Sequence, residues 1–129
     1  MATVLVIDDS AEMRRMLLRM LDSAGHHPYA AVDGVEGVAL YARYRPDLVI
    51  TDILMPNMEG IETIRELRRI SPAVKILAIS GSGGYGGPNY LAAARELGAD
   101  EVLTKPVRAV EFYAVVNRML GLALATKET

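Results

Sequence analysis

Three short apolar runs rich in β-branched residues, Thr3 to Ile7, Leu48 to Thr51 and Lys75 to Ile79, lack the alternating polar positions of a strand with one wet face. They predict strands covered on both sides. Two weaker segments, Pro28 to Val32 and Glu101 to Thr104, fall where the rhythm of the chain needs a second and a fifth strand. Between them the period lengthens. Met13, Met16, Leu17, Met20, Leu21 and Ala24 form one helical stripe, with Arg14, Arg15 and Arg19 outside it. Further helices are predicted over Val35 to Tyr44, Glu59 to Ile70, Asn89 to Leu97 and Val107 to Leu122, with Asp33 capping the second and Gly98 stopping the fourth. Strands alternating with helices predict an α/β fold, a parallel sheet with helices on both faces joined by right-handed crossovers. Ligands in such sheets bind at the carboxyl ends of the strands.

A chain of 129 residues with 51% hydrophobic content suits one domain, expected over residues 1–122 with a frayed tail at 123–129. Its 14 Lys and Arg against 16 Asp and Glu give a formal charge of -2, without the positive excess that phosphate backbones attract. Direct nucleic-acid binding is not expected. The absence of cysteine removes disulfides and thiolate chemistry, and the N-terminal stretch has neither the basic start of a signal peptide nor the length of a membrane span. A cytoplasmic protein without a membrane segment is the expectation.

The informative residues are those that follow each strand. Asp8 and Asp9 follow the first, Asp52 the third, Ser80 the fourth and Lys105 the fifth. A doubly wound sheet brings these ends into one crevice. Three carboxylates held together repel, so they need raised pKa values or a cation between them. Magnesium, with manganese as an alternative, suits such oxygen ligands, and keeps room for a phosphate oxygen. Lys105 would neutralise a phosphoryl oxygen and the Ser80 hydroxyl would donate to another. Taken singly, each of these residues is an ordinary turn or loop residue. Their recurrence at successive strand ends is what points to a phosphoryl group.

The segments Val-Leu-Val-Ile-Asp8-Asp9, Asp52-Ile-Leu-Met55-Pro56-Asn-Met-Glu-Gly60, Ile-Leu-Ala-Ile-Ser80-Gly81 and Gly98-Ala-Asp-Glu-Val-Leu-Thr-Lys105-Pro106 resemble the receiver domain of two-component response regulators, over nearly the whole chain. The resemblance implies a flavodoxin-like sheet of order 2-1-3-4-5. It implies that Asp52 is the phosphoacceptor, with Asp9, Asp52 and the backbone carbonyl of Leu54 as magnesium ligands and Asp8 acting mostly through water. Ser80 looks like the switch hydroxyl and Lys105 like the phosphoryl-contacting lysine, with a cis bond to Pro106 helping to aim it. The implied donor is a histidine kinase or histidine phosphotransfer protein, and the implied readout is a downstream protein on the face of the fourth helix, fifth strand and fifth helix. Such a chain is a self-phosphorylating and self-dephosphorylating switch rather than a conventional enzyme. With no output domain expected after Leu122, the signal would leave through a protein surface, or onward through a phosphorelay.

Three departures stand out. Val102 replaces the aromatic residue that family members often place three positions before the lysine, so a weaker or rerouted conformational response is expected, with Tyr85 or Tyr90 as substitutes. The glycine-rich loop 81–87 is longer than in the chemotaxis regulator of the family and should order only at an entropic cost. Leu54 cannot orient a water, so unusually fast self-dephosphorylation is not expected.

Rival readings fit less well. Gly81-Ser-Gly83-Gly-Tyr-Gly86 matches a dinucleotide fingerprint in form, but Asp100 and Glu101 begin a strand where a ribose-binding acid should end one. An aspartyl-nucleophile phosphatase would carry a second acid where Leu54 stands. A receiver-like scaffold indifferent to phosphate must explain why all five polar residues are present. His26 and His27 are expected in a surface turn, and Met13, Met16 and Met20 as core filler rather than a binding groove.

Overall fold

A computed structural model describes residues 2–53, 60–80, 92, 95–96 and 98–122. Leu54, the glycine-rich loop 81–87, Tyr85, Tyr90 and the tail 123–129 lie outside these residues. Of the predicted helix over 89–97, only Ala92, Arg95 and Glu96 are described, and they are helical. The described chain runs β1 (Thr3–Ile7), α1 (Ala11–Ser23), β2 (His27–Ala31), α2 (Gly34–Tyr44), β3 (Leu48–Asp52), α3 (Gly60–Ile70), β4 (Ile76–Ser80), β5 (Glu101–Thr104) and α4 (Ala109–Leu120). The strands form one parallel sheet in the order β2-β1-β3-β4-β5.

The unbroken apolar runs have their cause in two cores. Leu5, Ile7, Val49, Ile76 and Ala78 face Tyr41 of α2 and Ile64 and Leu67 of α3. Their alternates Val4, Val6, Leu48, Ile50, Leu77 and Ile79 face Leu17 and Leu21 of α1 and Phe112, Val115 and Val116 of α4. Because side chains alternate across a strand, covering both faces leaves no room for a charged residue until the strand ends. The chemistry is thereby displaced to the carboxyl ends of the strands.

The differences from the predicted boundaries have local reasons. β2 begins one residue earlier than Pro28, because the His27 N–H donates to the Ala2 carbonyl at 2.8 Å. Alternation then turns Pro28 toward the open side of this edge strand, where its missing N–H costs no ladder bond. The last helix is shorter than Val107 to Leu122: Arg108 is its N-cap, and Gly121, at φ 72°, ends it. Ala24 is an exposed C-cap of α1 rather than part of the buried stripe. His26 is buried, not in a surface turn, and its Nδ1 accepts from the Ala2 N–H at 3.2 Å. Only His27 is exposed. At the far edge, Arg68 of α3 donates to the carbonyls of Pro72, Val74 and Gly98 and pairs with Asp100 at 3.1 Å, tying β5 to the helix beneath it.

Candidate functional site

Asp8 follows β1, and its N–H donates to the Ala31 carbonyl at 3.1 Å, which extends the ladder by one bond beyond the strand. Its Oδ1 accepts from the Ser10 N–H at 2.9 Å, while the Ser10 hydroxyl accepts from the Met13 N–H and caps α1. A turn that satisfies helix and carboxylate together holds Asp8 at 1% exposure. Asp52 closes β3 and is 7% exposed, with the Thr51 hydroxyl donating to its carbonyl at 3.0 Å. One carboxylate oxygen each from Asp8, Asp9 and Asp52 lies within 4.8 Å of the others. Lys105, just beyond β5, places Nζ 3.5 Å from Asp52 Oδ2. Ser80, the last residue of β4, is fully buried, and its carbonyl accepts from the Lys105 N–H at 2.7 Å.

Burial and, behind it, charge crowding bear on Asp8. Burial pushes the Asp8 carboxyl up to about 6, reinforced by the charges of Asp52 and Asp9 and opposed by the Ser10 hydrogen bond and by Lys105. Three carboxylates, two of them buried and Asp9 exposed, against one ammonium leave an excess of negative charge in a partly open site. A hard divalent cation with oxygen ligands fits this donor set, and Asp8, Asp9 and Asp52 are the residues that would hold it. Bound there, it would neutralise the cluster and leave room for a further anion.

A family model for the response regulator receiver domain matches residues 4–117. The chain belongs to the receiver domain family. It is 34% identical to the chemotaxis protein CheY of Thermotoga maritima, over 90% of this chain and 95% of that protein. It is equally 34% identical to the response regulator MprA of a Mycobacterium species, over 91% of this chain but only 50% of the relative, so it spans about half the length of those relatives. The chemotaxis protein CheY4 of Vibrio cholerae superimposes with a TM-score of 0.84 at 30% identity, covering 92% of this chain and 98% of that structure.

In this receiver domain the strand ends bring Asp8, Asp9, Asp52 and Lys105 together, with Ser80 on the strand between Asp52 and Lys105. The Lys105–Pro106 peptide bond is cis. Val102 stands on β5, three positions before Lys105. It is half-buried and packs against the core on the α2–α3 side, opposite Ala78 of β4. A cleft of about 380 Å³ opens beside Lys105, lined by Met13, Met16, Pro106 and Val107. The two methionines therefore fill core with one edge and line a groove with the other. A second cleft, of about 370 Å³, lies among Pro46, Asp47 and Lys75 and contains none of the predicted site residues.

One contact was not legible in the sequence. Arg14, outside the apolar stripe of α1, folds back so that Nη1 donates to the Asp8 carbonyl at 2.6 Å. The only available signal was a long cationic side chain in the first turns of a helix entered from an acidic strand end.

Proposed function

We propose that this receiver domain accepts a phosphoryl group on Asp52, with magnesium bound by Asp8, Asp9 and Asp52. The observation that carries the reading is the placement of the nearly buried Asp52 carboxylate between two further carboxylates and the Lys105 ammonium. The proposed donor is a phosphohistidine on a histidine kinase or phosphotransfer protein. The Asp52 carboxylate forms a bond to phosphorus as the phosphorus–nitrogen bond breaks, and the departing imidazole carries the electron pair and takes up a proton. Lys105 offsets charge on the transferred group, and the rigid strand ends supply alignment, the two contributions on which phosphoryl transfer chiefly depends.

The product is an acyl phosphate, and its added charge would draw on Ser80 and Lys105 to shift the chain between two conformations. The chain then acts as a signalling switch rather than a turnover enzyme, read by a protein partner on the face that includes β5 and α4. Because the MprA relatives are about twice as long, the switch equally suits a chain joined to an effector. Among the described residues no helix is long and apolar enough to cross a membrane. Intact-mass measurement with acetyl phosphate tests the chemistry. One phosphoryl adduct is expected in the wild type with Mg2+, and none with chelator or in Asp52→Asn. An undiminished adduct in Asp52→Asn would refute it.

A further inference from the structure

The carbonyl of Asp8 belongs to the peptide group that joins Asp8 to Asp9, so whatever fixes that carbonyl also fixes how the two carboxylates are pitched against each other. Three contacts converge on Asp8: its N–H on Ala31, its Oδ1 on Ser10 N–H, and its carbonyl on the Arg14 guanidinium. The first two set the strand end and the side chain. Among the described residues, only the third holds the linking peptide. It comes from a half-buried side chain six residues away, across the β1–α1 turn. Among the described residues, Arg14 makes no salt bridge with a carboxylate, and its guanidinium donates to this one backbone oxygen.

Resting on the proposed magnesium site, we propose that Arg14 is a positioning residue for cation binding, clamping the Asp8–Asp9 peptide so that both carboxylates converge with Asp52. The clamp acts through geometry rather than net charge. The neighbouring Arg15 is exposed on the same helix and, among the described residues, makes no hydrogen bond or salt bridge to the site. It is therefore the charge-matched control.

The test is Mg2+ titration by calorimetry on wild type, Arg14→Gln, Arg14→Lys and Arg15→Gln, each with a melting curve in chelator. Loss of such a supporting contact weakens metal affinity by about ten- to a hundredfold, and that is expected for Arg14→Gln. Arg14→Lys, which keeps a donor, should recover most of the affinity, and Arg15→Gln should bind like wild type. Equal weakening in Arg14→Gln and Arg15→Gln would replace positioning by net charge and overturn the proposal. So would a lowered metal-free melting temperature with an unchanged Mg2+ dissociation constant, which would make Arg14 a structural contact only. A wild-type protein that binds no Mg2+ would instead remove the proposed function, and this inference with it.

Discussion

Lys105 Nζ stands 3.5 Å from Asp52 Oδ2, a contact between residues 53 apart in sequence that joins the ends of β3 and β5 across β4. The carboxylate is 8% exposed and the lysine side chain 31%, so water screens the pair only from one side. The ammonium is thus held where charge would change during phosphoryl transfer. Lys105→Gln removes that charge while keeping a polar side chain. Transfer from acetyl phosphate should slow by about ten- to a hundredfold, near the lower end of what losing one electrostatic donor costs because the site is partly open. Stopped-flow or quenched-mass kinetics at fixed Mg2+ would check this. An unchanged rate would remove Lys105 from the chemistry.

Asp8 makes the metal-free fold sensitive to pH in an unusual direction. Its carboxyl is raised from 3.8 to about 6 in the folded chain, so between these values the folded state binds more protons than the unfolded state. Stability in chelator should therefore fall as pH rises from about 4 to 6 and stay low above that, by on the order of 2 kcal/mol. Asp8→Asn preserves an oxygen for the Ser10 N–H but cannot ionise. Urea denaturation should show it more stable than wild type at pH 7 without Mg2+, and nearly equal at pH 4.

His26 contributes the opposite slope. Burial, helped by the N-terminal charge, lowers its pKa below 6.5, so the unfolded chain takes up its proton first as the medium is acidified. Its contribution is complete above pH 6.5 and is lost as pH falls through the window down to the folded value. His26→Gln should flatten this part of the profile while leaving the Asp8 part intact, since the two groups lie at opposite ends of β1. A wild-type profile unchanged by His26→Gln would contradict the buried, neutral imidazole.

Gly60 fixes the backbone beneath Asp52. A Cβ there would overlap the Asp52 carbonyl and the Ile53 Cα, and sit 2.6 Å from the Ile53 oxygen, all backbone atoms that cannot rotate away. At Gly37 the clash is with the Cδ1 and Cγ1 of Ile7, the flexible end of a side chain. Gly60→Ala should cost about 3 kcal/mol or more, and Gly37→Ala about 1–2 kcal/mol, as overpacking usually does. Gly60→Ala should also weaken Mg2+ binding, because α3 can recoil only by moving the strand end. Equal losses for the two variants would show that the contact at Asp52 relaxes freely.

Much of this was legible because burial on both faces writes itself into sequence. β1, β3 and β4 have no wet side, so their apolar runs end where Asp8, Asp52 and Ser80 begin, and strand end and site were read together. β2 was displaced by one residue because Pro28 resembles a boundary, whereas on an edge strand its ring can face outward. The contact of Arg14 and the burial of His26 escape the sequence for a shared reason. Helical spacing shows which side of an element a residue starts from, but not where a long side chain or a turn returns to: Arg14 reaches back across the β1–α1 turn, and His26, after α1, meets the backbone ahead of β1. Val102 was read from what it lacks, and its packing against the α2–α3 core became visible only in three dimensions.

Phosphoryl acceptance by Asp52 is tested most directly by trapping the acyl phosphate. The wild-type protein, phosphorylated with acetyl phosphate and Mg2+, would be reduced with borohydride, digested and sequenced by tandem mass spectrometry. Homoserine at position 52, dependent on both reagents, is the predicted result. Homoserine at Asp8, Asp9 or another acidic residue, or its absence under conditions where Mg2+ binding is demonstrated, would contradict it.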